Sequence, residues 1–138
     1  MKKVYLLILV LLFVVGCVEE DKTEDGFLRD DVIIYFFSDD GCPFCRELKP
    51  YLEELANEYD EVKLKEIKAW SSSETIAMFQ EVAGEFGKEV EGVPMTFIGE
   101  QSWNGFHESL IPQMEAKLEQ CINDGCEDKS YDIVFEEE

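Results

Sequence analysis

Basic side chains are scarce in this chain of 138 residues: 12 lysines and arginines stand against 32 aspartates and glutamates, a formal charge of −20. A surface of that sign repels phosphate backbones, so nucleic acid is not an expected partner. The acidity itself reads as solubility, or as adaptation to a saline habitat. Histidine is reduced to one residue, His107, with no second ligand or carboxylate in a motif around it. It reads as a surface or core residue rather than a base, and no metal site is expected. Apolar runs long enough to cross a bilayer are missing too. The unbroken stretch Val4 to Val15 would span about 18 Å as a helix, against a hydrocarbon core of roughly 30 Å.

That short run has a different use. Lys2 and Lys3 precede it and Gly16-Cys17 follow it, and a basic start, a short apolar stretch and a small residue make a secretory signal. Val14-Val15-Gly16-Cys17 resembles a lipoprotein signal-peptidase box, which implies that Cys17 becomes the lipidated first residue. An uncleaved signal anchor is the alternative. Either one puts the rest of the chain outside the cytoplasm, attached to a membrane. Five cysteines is an awkward number in an oxidising compartment. Setting Cys17 aside for lipid leaves two local pairs, Cys42 with Cys45 and Cys121 with Cys126, and resolves the parity.

The expected organisation is a signal peptide at 1–16, a lipid anchor and acidic tether at 17–30, one domain at 31–126 and an acidic tail at 127–138. The tether has nothing to bury. Val32-Ile33-Ile34-Tyr35-Phe36-Phe37 is a continuous apolar run, as in a strand covered on both faces. Leu48, Tyr51, Leu52, Leu55, Ala56 and Tyr59 have helical spacing, with Pro50 expected to kink the helix. Val62, Leu64 and Ile67 suggest a second strand. Ser71 and Glu74 offer a capping box for a helix running to about Phe86. Val93 to Gly99 reads as a third strand, Ser102 to Phe106 as its antiparallel partner, and Ser109 to Ile122 as a last helix with Pro112 in its first turn. The order β-α-β-α-β-β-α calls for an α/β fold with a mixed four-stranded sheet flanked by helices. The tail's apolar island at Tyr131, Ile133, Val134 and Phe135 is left open between an edge strand and disorder.

Cys42 and Cys45 carry the chemistry. The nucleophile of disulfide exchange is a thiolate, and a free cysteine near pKa 8.5 is mostly protonated at neutral pH. A cysteine between a strand and a helix start gains from the unpaired N–H groups and the positive end of the helix dipole. Pro43 suits the first helical turn, Phe44 is expected over the site as an apolar contact for substrate, and Cys45 falls one turn on. Cys121 and Cys126 read as a structural disulfide clamping the last helix, with a secondary redox pair as the alternative. Asp39 and Asp40 would raise the Cys42 pKa by like charge, and Arg46 would oppose them. Trp103 and Phe106 read as core.

An apolar strand, Cys-Pro-Phe-Cys opening a helix and a Val-Pro dipeptide some fifty residues later together resemble the thioredoxin and glutaredoxin superfamily, over roughly residues 31–122. The resemblance implies a cis Pro94 lying against the disulfide and a Val93 backbone that hydrogen-bonds the incoming chain. There are departures. Thioredoxins carry a buried acid six residues before the first cysteine and a tryptophan just before it, where this chain has Phe36 and Gly41. The Gly-Gly turn with which glutaredoxins read glutathione is poorly matched at Asn104-Gly105. A helical insertion of the periplasmic oxidant kind has no room between residues 68 and 93.

The expected function is an extracytoplasmic, membrane-tethered thiol–disulfide oxidoreductase. It would be monomeric and need no cofactor beyond the Cys42–Cys45 disulfide. Its partners would be protein thiols or disulfides and, by resemblance, a membrane redox protein. Two other classes remain at this point: a zinc or other metal module using both cysteine pairs, and a redox-silent binding domain of the same fold.

Overall fold

The structure, a computed structural model, describes residues 26–135. The signal segment 1–16, Cys17, residues 18–25 of the tether and residues 136–138 lie outside the described residues. No helix among those described is long and apolar enough to cross a membrane.

Four strands form one mixed sheet: β1 (Val32–Ser38), β2 (Val62–Lys68), β3 (Met95–Ile98) and β4 (Gln101–Asn104), in the order β2-β1-β3-β4. β1 runs parallel to β2 and antiparallel to β3, and β3 runs antiparallel to β4. The central β1 is buried from Ile33 to Ser38, as its unbroken apolar run requires. Its side chains alternate between two cores. Ile34 and Phe36 face one, while Ile33, Tyr35 and Phe37 face the other.

Helix α1 (Pro43–Glu58) covers the first face, burying Cys45, Leu48, Leu52 and Leu55. That 3-4-3 spacing is one stripe of a 3.6-residue helix, and each leucine stabilises by about 1.5–3 kcal/mol. The helix continues through Pro50. Helix α3 (Ile111–Asp124) adds Met114, Leu118 and Cys121 to the same core. It follows a short 3₁₀ turn, Glu108–Leu110, capped by His107, whose Nδ1 accepts from the Ser109 N–H at 3.2 Å. His107 is thus an exposed cap. Trp103 is buried and Phe106 packs on the same core.

Helix α2 (Ser73–Glu85) covers the opposite face with Phe79, Val82 and Ala83. Phe79 stacks on Phe37 with ring centroids 4.3 Å apart. Its N-cap is Ser72, whose side chain accepts from the Thr75 N–H, one residue beyond the expected Ser71. The Ser71 hydroxyl instead donates to the Lys68 carbonyl at 2.9 Å and holds the preceding turn.

A fourth helix, α4 (Tyr131–Phe135), completes the second face. The apolar island of the tail is thus neither an edge strand nor disordered. Tyr131, Val134 and Phe135 are buried, and Phe27 from the end of the expected tether packs on Phe135 with centroids 5.3 Å apart. Apolar area pulls both segments onto a face that α2 alone leaves partly open. Asp128 anchors the start of α4 by accepting from the Ser130 and Tyr131 N–H groups and from the Tyr35 hydroxyl at 2.8 Å. Burial lifts the Asp128 carboxyl above the ordinary range, against these hydrogen bonds. Burial first, and then the neighbouring carboxylate, push the Tyr35 phenol well above its ordinary value.

Candidate active site

The parallel pair β1 and β2 ends at one pole of the sheet, and the chain turns there into α1. Asp39 shapes the turn: its carboxylate accepts from the Gly41 N–H at 3.1 Å, and its carbonyl accepts from the Cys42 N–H. Cys42 is the N-cap residue of α1, in extended conformation, and Pro43 occupies the first turn. The Cys45 N–H donates to Cys42 Sγ at 3.1 Å. A sulfur thus takes the place that serine or aspartate oxygen usually holds at a helix start, where negative charge is stabilised.

Cys42 and Cys45 are joined as a disulfide with Cα atoms 5.3 Å apart. Cys42 retains 9% of its surface and Cys45 3%. Phe44 between them is 56% exposed. Across from the pair stands the start of β3. The Val93–Pro94 peptide is cis, and the Val93 carbonyl oxygen lies 3.6 Å from Cys42 Sγ. In the disulfide this is a van der Waals contact, since the sulfur has no proton to donate. One pole therefore gathers Cys42, Pro43, Phe44, Cys45, Val93 and Pro94.

Position 36, six residues before Cys42, is a fully buried phenylalanine in the same core as both sulfurs. No carboxylate from β1 stands behind Cys45. A partly buried carboxylate comes from β2 instead. Glu66, paired in register with Phe36, accepts from Lys49 Nζ at 2.6 Å, Ser38 Oγ at 2.7 Å and Lys68 Nζ at 2.9 Å. Lys68 also pairs with Asp40 at 2.8 Å. Burial raises the Glu66 pKa, but the hydrogen bonds from Lys49, Lys68 and Ser38 outweigh it and bring the group down to about 2. Glu66 is therefore a fixed anion tying α1 to β2 rather than a proton acceptor at neutral pH. The sequence carried a signal for it: Val62 and Leu64 point to the α1 core, so period two aims Glu66 the same way.

A folded-state pKa below the unfolded value of about 4.5 adds stability that is full above pH 4.5 and lost as pH falls toward 2. Glu66→Gln is expected to cost about 1 kcal/mol at pH 7, the two lysines being half exposed. The difference from wild type should shrink on acidification through that window, as read by urea midpoints at a series of pH values.

Cys121 and Cys126 form the second disulfide at the other pole. Gly125, with φ +76°, ends α3, and its N–H donates to the Cys121 carbonyl. The bridge lies against Gly99 just after β3, where a Cβ would come within 2.8 Å of Cys126 Sγ. Gly99 also has φ +56°, so only glycine fits without strain. The two disulfides thus touch opposite ends of β3, from Pro94 to Gly99, about 16 Å apart at strand rise. One zinc ion cannot take ligands from both pairs. Among the described residues Glu100, Cys121 and Cys126 bring three ligand atoms within 4.8 Å of one another, but both sulfurs are in the disulfide and Glu100 is paired with Lys117 at 2.5 Å.

No protein-family model matches the chain, and no curated protein matches it. Among solved structures it is similar to a thioredoxin from Trypanosoma brucei brucei, with a TM-score of 0.50 and 20% identity, over 69% of this chain and 78% of that one. The four-stranded mixed sheet flanked by helices fits that likeness, and the Cys42–Cys45 pair stands beside it. The fold of this chain is thioredoxin-like, with a paired Cys-x-x-Cys at the pole where its central strand enters a helix.

Proposed function

We propose that this protein is a thiol–disulfide oxidoreductase, held outside the cytoplasm at a membrane through Cys17 or an uncleaved signal anchor, and exchanging disulfides with protein substrates. One observation carries the redox reading: Cys42 Sγ caps α1 and accepts the Cys45 N–H at 3.1 Å, so its thiolate is stabilised before any substrate arrives. The tethering rests on Lys2, Lys3, the run Val4 to Val15 and the Val-Val-Gly-Cys box. The partners are polypeptides bearing thiols or disulfides and a membrane redox protein; the redox-active disulfide is the only cofactor, and the chain acts as a monomer.

With the pair reduced, the Cys42 thiolate attacks one sulfur of a substrate disulfide. A new S–S bond joins Cys42 to the substrate, and the other substrate sulfur leaves with the electron pair as a thiolate. Cys45, one turn along and buried, then loses its proton to water and attacks Cys42 Sγ. The Cys42–Cys45 disulfide forms and the second substrate thiolate departs. Run in reverse, the oxidised pair hands its disulfide to two substrate thiols. Val93, in van der Waals contact with Cys42, would offer its backbone to the bound chain, and Phe44 would cover the reacting sulfurs.

Cys45→Ser tests the sequence of steps. The variant should still perform the first attack and accumulate a mixed disulfide on Cys42 when mixed with a peptide disulfide, visible by mass after non-reducing digestion. Absence of any adduct, or an adduct on Cys121 or Cys126 alone, would overturn the proposal.

A further inference from the structure

The outward face of α1 next to Cys42 repeats a pattern. Phe44, Glu47, Tyr51 and Glu54 are spaced 3-4-3 and exposed, the same rhythm as the buried Cys45, Leu48, Leu52 and Leu55, moved by one residue. The two aromatics stand about 10.5 Å apart along the helix, with carboxylates beside them. Phe44 is 56% and Tyr51 37% exposed, in a molecule with only one other large apolar side chain so exposed among the described residues, Trp70. Phe106 widens the strip: its ring centroid lies 5.8 Å from that of Tyr51, and the neighbouring Gly105 N–H donates to the Pro94 carbonyl at 2.8 Å. An aromatic surface therefore runs from the cis-proline and Cys42 out along α1. Its margins are acidic. Besides Glu47 and Glu54, Glu91 accepts from Asn104 beside Gly105, and Glu108 follows Phe106 by two residues. The two cations of α1 lie elsewhere: Lys49 is bound to Glu66, and Arg46 projects from the far side of the helix from Phe44 at 100° per residue.

Resting on the oxidoreductase reading, we propose that this strip is the docking surface for the substrate polypeptide, and that it selects segments in which the reacting cysteine is flanked by basic and apolar side chains. Apolar side chains of such a segment lie on Phe44, Tyr51 and Phe106 while its lysines or arginines meet the carboxylates, which brings the cysteine to Cys42. Complementary charge of this kind acts mostly on the association rate and falls with salt.

The test uses the reduced full-length protein and three probes: hydroxyethyl disulfide, which is small and neutral, and two cysteine peptides activated with 2-thiopyridine, one flanked by lysine and leucine, the other by glutamate and leucine. At low salt the lysine peptide should react about 10–100 times faster than the glutamate peptide, and the ratio should collapse near 0.5 M salt, where screening is strong. Glu47→Lys with Glu54→Lys should slow the lysine peptide about tenfold or more while leaving hydroxyethyl disulfide within about twofold. Tyr51→Ser should slow both peptides and spare the small probe. Equal peptide rates, or a charge preference unchanged in the double variant and so owed to net charge, overturn the proposal. A dimer lost on Tyr51→Ser with no change in peptide rates places a second copy on the strip and also overturns it. No reaction even with hydroxyethyl disulfide brings down the oxidoreductase reading itself, and this inference with it.

Discussion

Cys42→Ser is expected to lower disulfide exchange by at least about a thousandfold, while the chain remains folded and Cys121–Cys126 remains closed. A serine hydroxyl at the same cap is neutral and a far weaker nucleophile at pH 7 than a stabilised thiolate, which is the attacking species. The cap itself survives, because the serine oxygen accepts the Cys45 N–H as well as sulfur does. Stability should therefore change by no more than the loss of a small disulfide ring, about 2–3 kcal/mol. Turnover of hydroxyethyl disulfide alongside a thermal melt separates the two effects. Retained turnover in the variant would move the chemistry away from Cys42.

Ending the chain at Lys129 should have the largest effect on stability. Tyr131, Val134 and Phe135 are 5%, 2% and 9% exposed. At about 1.5–3 kcal/mol for each, removing them costs about 4.5–9 kcal/mol, a large part of the 5–15 kcal/mol that holds a typical domain together. It also uncovers Phe27 and the Tyr35 face of β1. The truncated chain is expected to melt lower by about 20 °C or more, or to show no cooperative transition. A melt matching the full chain would mean that α4 only decorates the surface.

That helix marks where the sequence stopped being readable. Strand β1 was legible because six consecutive apolar residues leave no polar face, and α1 because its leucines repeat at helical spacing. The site was legible because a cysteine pair one helical turn apart follows such a strand and a Val-Pro precedes another. Helix α4 has five residues, too few for a period to emerge, and its conformation is decided by contacts with Phe27 and Tyr35 that are distant in the chain. The local cue was Asp128, whose carboxylate accepts from the Ser130 and Tyr131 N–H groups. Ser72 was missed for Ser71 because three serines in a row cap equally well in principle; the Lys68–Ser71 turn after β2 sets the phase. Glu66 is hard to read because Val62, Leu64 and Ile67 do not keep a period of two: Ile67 faces the other core.

The helix ends set the two disulfides apart. Cys42 stands at the positive end of α1, which stabilises its thiolate and so the reduced pair. Cys121 stands in the last turn of α3, where the negative end opposes a thiolate. The most direct measurement equilibrates the native protein with thiol–disulfide buffers of graded potential, alkylates free thiols and reads each pair by peptide mass. Half-reduction of Cys42–Cys45 is expected between about −120 and −270 mV, with Cys121–Cys126 still closed there and yielding only below about −300 mV. Reduction of Cys121–Cys126 first, or a Cys42–Cys45 pair that stays oxidised below about −300 mV, would contradict it.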